Sequence, residues 1–145
     1  MNAIELLKKD HQKVKQMFDD YDDSPEEARG EIARNIFQEL EIHTRVEEDV
    51  FYPAVRASAD KSGKELIKHS FEEHQEVNDL ISELLDMDVA DPDFGNKFQE
   101  LVETVEHHID VEESETFPKA EAVLGKRIDQ LGKEIEEERE TVTAR

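Results

Sequence analysis

The sequence predicts an all-α protein, an up-down-up-down four-helix bundle with an additional short helix at its C-terminal end. Three observations support this fold class. Four segments repeat apolar residues at alternating steps of three and four, which is the spacing of helices that pack in a bundle. No segment shows the apolar–polar alternation of a strand. The five glycines and four prolines are few and stand mostly at the borders between the periodic segments.

The borders of the helices follow from local signals. Ser24-Pro25 is typical of an N-cap followed by proline at the first helical position, with the capping-box glutamate three residues after the serine. Asp91-Pro92 begins another helix in the same way. We therefore expect helices at about 2–22, 25–58, 64–87, 92–118 and 124–141, with a loop at 60–63.

The first four helices form the predicted bundle domain, residues 1–122. Residues 123–145 form a C-terminal helix and tail that pack on the bundle or extend from it. This last helix has its own apolar spacing, in Leu124, Ile128, Leu131 and Ile135. Because the connections between the bundle helices are short, neighbouring helices are expected to be antiparallel.

The composition excludes several classes of protein. The chain has 145 residues, the size of one domain, and a formal net charge of −21 that repels phosphate backbones and anionic lipids. We therefore expect neither nucleic acid nor a membrane as a partner. The absence of cysteine excludes disulfides, thiolate zinc sites and iron–sulfur clusters. The N-terminal residues lack the apolar core of a signal peptide, so a cytoplasmic location is expected.

The chain also contains an internal repeat. Residues Lys9–Val14 match Glu72–Val77, and His43–Pro53 match His108–Pro118. The matched positions include histidines and glutamates as well as packing residues. The first two helices and the next two are therefore expected to be two copies of one hairpin, related by a pseudo-twofold axis.

Every helix of the bundle interrupts its apolar face with a histidine, and the second and fourth helices add a glutamate one turn later. The apolar face of the second helix is expected to continue beyond Glu47 through Val50 and Ala54. The residues placed inside the bundle by this pattern are His11, His43, Glu47, His74, His108 and Glu112.

These six side chains predict a metal site. Buried carboxylates and imidazoles without partners cost several kcal/mol, and no Lys or Arg stands on an apolar face to neutralise them. The i, i+4 spacing of each His–Glu pair stacks both groups on one helix face. Mixed nitrogen and oxygen ligands suit iron, manganese or zinc. Two carboxylates that can each bridge indicate a two-metal site, with the ions roughly 3.5–4 Å apart.

Several neighbouring side chains are weighed against this set. Glu113 is an alternative to Glu112, because a small change of twist would bring it inward. Tyr52 could hydrogen-bond a ligand, although packing is the favoured role. His69 and His107 lie beside the apolar face and are expected to be supporting or surface groups. Three further acidic residues are expected in solvent: Glu48, Glu72 and Glu73.

These residues resemble the hemerythrin family, specifically its HHE cation-binding domains. The resemblance rests on His11, His43-x3-Glu47, His74 and His108-x3-Glu112, with Val-Glu-Glu around each glutamate, and it covers roughly residues 2–120. It implies a non-haem diiron centre of two iron ions with an oxo or hydroxo bridge. The glutamates would bridge the ions and the histidines would be terminal ligands.

The resemblance leaves several functions open, since family members variously carry oxygen, sense oxygen, nitric oxide or iron, store metal, or decompose peroxide. Oxygen carriers have a histidine at the position of Ser70, one turn before His74. We therefore expect a protein that reacts with peroxide or dioxygen, with possible catalase- or peroxidase-like activity. The alternative is a sensor or binding module for oxygen, nitric oxide or iron. A monomer or weak homo-oligomer is expected.

Overall fold

A computed structural model describes residues 1–144 and confirms the all-helical fold, with no strand among these residues. Two π-helical turns, Glu47–Phe51 and Glu112–Thr116, lie within long helical rods. The α-helices are α1 (Ala3–Asp23), α2 (Glu26–Val46), α3 (Tyr52–Ser58), α4 (Lys61–Leu85), α5 (Pro92–Val111), α6 (Phe117–Leu124) and α7 (Arg127–Ala144). No helix among the described residues is long and apolar enough to cross a membrane.

Four antiparallel rods form the bundle. The first is α1, the second runs from α2 through the first π turn into α3, the third is α4, and the fourth runs from α5 through the second π turn into α6. The additional helix α7 packs against α1, α2 and the first π turn. The bundle with an extra C-terminal helix is therefore confirmed.

Some helix ends differ from the sequence prediction. Ser24 does not cap α2; its hydroxyl donates to the carbonyl of Asp20, and Pro25 occupies the N-cap position. The predicted loop at 60–63 is the start of α4, where the Asp60 side chain accepts from the backbone N–H of Gly63. The Asp91 cap is confirmed, since its side chain accepts from the Asp93 N–H.

The π turns change which residues face the core. In each turn a backbone N–H bonds five residues back, from Tyr52 to the carbonyl of Glu47 and from Phe117 to that of Glu112. A proline follows each of these donors; it has no N–H, and in a regular helix its ring would collide with the carbonyl four residues earlier. A widened turn accommodates this defect. The added residue shifts the buried face by one position, so Phe51 and Val55 are buried rather than Val50 and Ala54, which are half-buried.

The core consists of two apolar clusters. The upper core lies toward the end of the bundle that carries the α1–α2 and α4–α5 connections and includes Val14, Phe18, Leu40, Phe98, Leu101 and Val105. The lower core includes Ile4, Leu7, Phe51, Ile67, Phe117 and the α7 residues Ile128, Leu131 and Ile135. The buried histidines and glutamates are in neither cluster. Polar side chains therefore interrupt the apolar interior, as the sequence pattern predicts.

Close approach of α7 to the start of α1 depends on one glycine. A Cβ on Gly132 would lie only 2.6 Å from the carbonyl oxygen of Met1, so any larger residue at this position would force the backbone to move. This contact, with the burial of Ile135, positions the later turns of α7 beside α1.

Candidate metal centre

The structure brings all six predicted residues together in the bundle interior. Glu47 and Glu112 have no exposed surface, and the four histidines are each 6% exposed or less. The Nε2 atoms of the histidines lie against the two carboxylates. Glu112, and not the alternative Glu113, is the inner glutamate of the fourth rod.

The six residues form two overlapping groups that share both glutamates. The first subsite contains His11 and His43, and the second contains His74 and His108. Within each subsite the potential ligand atoms all lie within 4.8 Å of one another. The same two carboxylates are therefore available to both subsites.

The distances place the carboxylates between the imidazoles. Glu47 Oε1 lies 3.0 Å from His43 Nε2 and 3.2 Å from His74 Nε2. Glu112 lies 3.1 Å from His11 Nε2 through Oε1 and 3.3 Å from His108 Nε2 through Oε2. Each glutamate thus contacts one histidine of each subsite.

Several of these inner atoms have no hydrogen-bond partner. Among residues 1–144 the buried unpaired atoms include His11 Nε2, His43 Nε2, both carboxylate oxygens of Glu47, and Glu112 Oε1. Desolvating such groups without a partner costs several kcal/mol. A cation between them would accept their lone pairs, and nitrogen with carboxylate oxygen is a donor set that iron accepts. The residues present therefore fit a metal.

Each histidine is also held from behind by a carboxylate. The Nδ1–carboxylate distances are 2.7–2.8 Å, in the pairs His11–Glu113, His43–Asp10, His74–Glu48 and His108–Glu73. With Nδ1–H donating to the carboxylate, the Nε2 lone pair points into the cluster, which is the tautomer that a metal ligand requires.

These outer carboxylates are the residues that sequence reasoning missed. The helical pattern gives no sign of a role for Asp10, and the expectation that Glu48 and Glu73 lie in solvent is wrong: Glu73 is 7% exposed and Glu48 is half-buried. Only Glu72 of that group is exposed. The repeat carries the missing signal, because an acidic residue precedes His11 and His74 and another follows each inner glutamate.

The aromatic residues after the two π turns make the subsites different. Tyr52 Oη lies 3.2 Å from His74 Nε2 and 3.4 Å from His108 Nε2, and the hydroxyl donates to Glu112. Its equivalent in the repeat, Phe117, stacks on the ring of His11 at a centroid distance of 5.6 Å. Tyr52 therefore contributes a polar group to the second subsite, beyond the favoured packing role. The Ser70 hydroxyl donates to the Leu66 carbonyl instead.

The ionisation of the cluster without metal is set by its carboxylates. Burial lowers the pKa of His108, but Glu112 and Glu73 reverse this effect and raise it to about 10. Burial likewise lowers the pKa of His43, and Glu47 with Asp10 raises it well above its usual value. Burial, together with the charges of Glu112 and Glu47, holds the pKa of Tyr52 well above its ordinary range, so its hydroxyl stays protonated.

A small cavity adjoins the four histidines on the side of the upper core. Its volume is about 20 Å³, which is enough for one molecule about the size of water. Apart from the histidines, its walls are Val14, Leu40, Thr44, Val77, Val105 and Ile109. Thr44 also lines a surface groove between α2 and α4, so its side chain borders both the groove and the cavity.

Comparisons with known proteins agree with this geometry. The family described as Hemerythrin HHE cation binding domain matches residues 2–120. The uncharacterized protein Rv2633c of Mycobacterium tuberculosis is 32% identical over 120 residues, which are 81% of this chain and 71% of that protein. A protein of Nostoc sp. named DNA nickase is 27% identical over 118 residues, which are 81% of this chain but 33% of that protein.

A solved structure is similar over a longer stretch. It is the crystal structure of a hemerythrin HHE cation binding domain-containing protein from Mycobacterium kansasii, described as an Rv2633c homolog. It matches with a TM-score of 0.87 at 28% identity, and the match covers 99% of this chain and 88% of that chain. The likeness thus extends past the family match into α7.

Proposed function

This chain belongs to the hemerythrin HHE cation-binding domain family, and on that premise we propose that its buried cluster holds two iron ions that react with peroxide or dioxygen. One observation carries the proposal: buried nitrogen and oxygen atoms, several of them without a hydrogen-bond partner, form two groups that share both carboxylates. The proposed ligands are His11 and His43 in the first subsite, His74 and His108 in the second, and Glu47 and Glu112 in both.

Two bound iron ions, each changing its oxidation state by one electron, would together supply the two-electron oxidation and reduction of peroxide, which none of the ligand side chains supplies. The proposed overall reaction is catalase-like: two molecules of hydrogen peroxide give one dioxygen and two water molecules. One peroxide is oxidised and the other is reduced, so the reaction needs no outside reductant.

The protein's own groups would control access and protons. The cavity of about 20 Å³ admits only small molecules, and its aliphatic walls exclude bulk water from the cluster. The Tyr52 hydroxyl holds a proton at Oη within reach of the second subsite. Thr44 borders both the cavity and the surface groove, and we propose the Thr44 side as the route by which peroxide enters.

The test of this function compares wild type with two variants at Ser70. In the iron-loaded protein, stopped-flow absorbance and oxygen evolution are expected to show turnover of peroxide, and air oxidation of the reduced protein without a stable oxygen adduct. Ser70→His should slow the peroxide reaction, because an imidazole one turn before His74 would compete for the open position. Ser70→Ala is the matched control and should retain activity.

A long-lived oxygen adduct that releases oxygen under vacuum, without peroxide turnover, would contradict this function. That outcome would favour an oxygen carrier despite the serine at position 70.

A sensor is the alternative function, and one contact favours it. Arg139 on α7 lies 2.6 Å from Asp10 Oδ2, and the same oxygen lies 2.8 Å from His43 Nδ1. Metal or ligand at the first subsite is thus connected by two contacts to a helix outside the bundle. A change in hydrogen exchange of α7 on binding nitric oxide or oxygen, without turnover of peroxide, would favour this alternative.

Other expectations remain predictions from the sequence. They are the cytoplasmic location, the monomeric or weakly associated state, and the boundary between the bundle and the C-terminal helix at residue 122.

A further inference from the structure

Two histidines outside the buried cluster lie against one of its outer carboxylates. His69 on α4 and His107 on α5 are both exposed, with side chains 58% and 71% accessible. Their Nε2 atoms lie 3.6 Å and 3.9 Å from the same atom, Glu73 Oε2. The other oxygen of Glu73 lies 2.7 Å from Nδ1 of His108. Glu73 thus has one oxygen directed to the buried centre and one directed to two surface imidazoles.

The other half of the molecule shows that this arrangement is not required by the fold. Asp10 is the equivalent of Glu73 in the repeat, and its outer contact is the permanent cation of Arg139 at 2.6 Å. Among residues 1–144 the ion pairs of Glu73 are with histidines, and no Lys or Arg forms one with it. The positions equivalent to His69 and His107 are Leu6 and Ile42, which offer no ligand atoms.

We propose that His69, His107 and Glu73 form a third, solvent-facing site for a divalent transition-metal ion. Two imidazole nitrogens and one carboxylate oxygen are a set of three protein ligands that leaves a position for water. Ligands at 2.0–2.2 Å in tetrahedral geometry stand about 3.3–3.6 Å apart. The two distances to Glu73 Oε2 therefore need to shorten by only a few tenths of an ångström, and the two imidazole rings must rotate to bring their nitrogens to the same separation from each other. Both imidazoles are exposed and can rotate to do so.

The spacing on α4 supports this site. His69 and Glu73 are four residues apart, the same i, i+4 separation as His43–Glu47 and His108–Glu112, so one helix face presents both ligands. The neighbouring rod supplies His107, which precedes a proposed ligand of the second subsite. The bound ion would be the counterpart of Arg139 in the first half, a cation beside a carboxylate that supports a buried histidine, although Arg139 shares one oxygen of Asp10 with His43 whereas the ion would use the second oxygen of Glu73. Imidazole and carboxylate together select ions such as Fe²⁺, Co²⁺ or Zn²⁺ over Ca²⁺ and Mg²⁺.

Cobalt(II) titration of the intact chain tests this site, followed by calorimetry and by visible absorbance. The comparison is between wild type and the double variant His69→Ala/His107→Ala. Both proteins keep the buried cluster, so any cobalt that enters it appears in both titrations and cancels in the difference. We expect wild type to bind one more Co²⁺ per chain than the double variant, and each single variant to bind that ion about tenfold more weakly or worse.

The matched control is Lys68→Ala/Glu106→Ala, which removes the exposed residues immediately before the two histidines and leaves the net charge unchanged. This control should keep the extra cobalt ion. Equal cobalt stoichiometry in wild type and the double variant, or loss of the ion in the control, would overturn the third site. Absence of iron from the buried cluster would contradict the diiron function but would not change this difference.

Discussion

The first subsite, with His11 and His43, is closed by other parts of the protein. The second subsite, with His74 and His108, is bordered by a hydroxyl group and by solvent-facing imidazoles. The first subsite has Phe117 stacked on His11, and α7 delivers Arg139 to Asp10. In the second subsite Tyr52 contacts His74 and His108, and Glu73 faces two exposed histidines.

This difference arises although the two hairpins repeat the same ligand types. Tyr52 and Phe117 occupy equivalent positions after the two π turns, and they differ by one hydroxyl group. The repeat therefore places histidines and glutamates symmetrically, while residues that break the repeat make the two subsites chemically distinct. We expect the second subsite to be the one at which small molecules react.

The largest expected effect is on iron content, and it tests whether the two subsites share Glu47 and Glu112. Glu47→Gln or Glu112→Gln should reduce bound iron from about two ions per chain to almost none, because each carboxylate contacts both subsites. His43→Ala and His108→Ala should also remove most of the metal. Elemental analysis of the iron-loaded proteins measures this. A glutamine variant that keeps both ions would mean that the halves bind metal independently.

The next effect is the dependence of stability on pH, and it is expected for the histidines of both subsites. Without metal, the folded-state pKa values of His43, His74 and His108 are raised, that of His108 to about 10. The resulting stabilisation of the folded state is complete at pH below the unfolded-state pKa of histidine, near 6.5. It is lost as the pH rises towards the folded-state pKa. Metal instead requires unprotonated imidazoles, so its stabilisation is lost as pH falls.

The melting temperatures of chelated and iron-loaded protein should therefore differ more as pH rises from about 6 to 9. Calorimetry of both forms at several pH values measures the difference. Identical melting curves with and without chelator would count against the site as a source of stability, and a difference independent of pH would contradict the histidine ligands.

A smaller effect tests the hydroxyl that distinguishes the halves. Tyr52→Phe makes the second subsite resemble the first and removes a hydrogen bond to a buried carboxylate, so the metal-free protein should lose about 2 kcal/mol of unfolding free energy. Peroxide turnover should fall as well. Tyr21→Phe, at the other tyrosine of the chain, is the control and should change stability little. Denaturant unfolding gives both values, and equal losses in the two variants would remove the special role of Tyr52.

The smallest effect tests the closure of the first half by α7. Arg139→Gln should cost about 1 kcal/mol, since the ion pair with Asp10 is partly exposed, and should weaken metal binding at the first subsite. The exposed pair between Lys13 and Glu39 gives the control Lys13→Gln, with an expected cost near zero. Unfolding and iron titration measure both. If Arg139→Gln behaves like the control, α7 does not support the metal centre.

The sequence alone determined the helical class, the repeat and the six inward histidine and glutamate positions. Helical periodicity is a local property, so a segment shows which side chains share a face whatever packs against it. The π turns are harder to predict from the sequence. Pro53 and Pro118 mark their positions, but a proline in a helix can also produce a kink or an end. Their consequence, the inward turn of Phe51 in place of Val50, required the structure.

Only the tertiary structure decided which acidic residue supports which histidine and how the halves differ. His43–Asp10, His74–Glu48 and His108–Glu73 join residues 26–35 positions apart, His11–Glu113 spans 102 positions, and Arg139–Asp10 spans 129. Such contacts depend on the rotation and height of one rod against another, which the pattern of a single helix does not specify. For the same reason, Glu48 and Glu73 have the sequence appearance of solvated residues, and packing of the rods makes them partners of buried imidazoles.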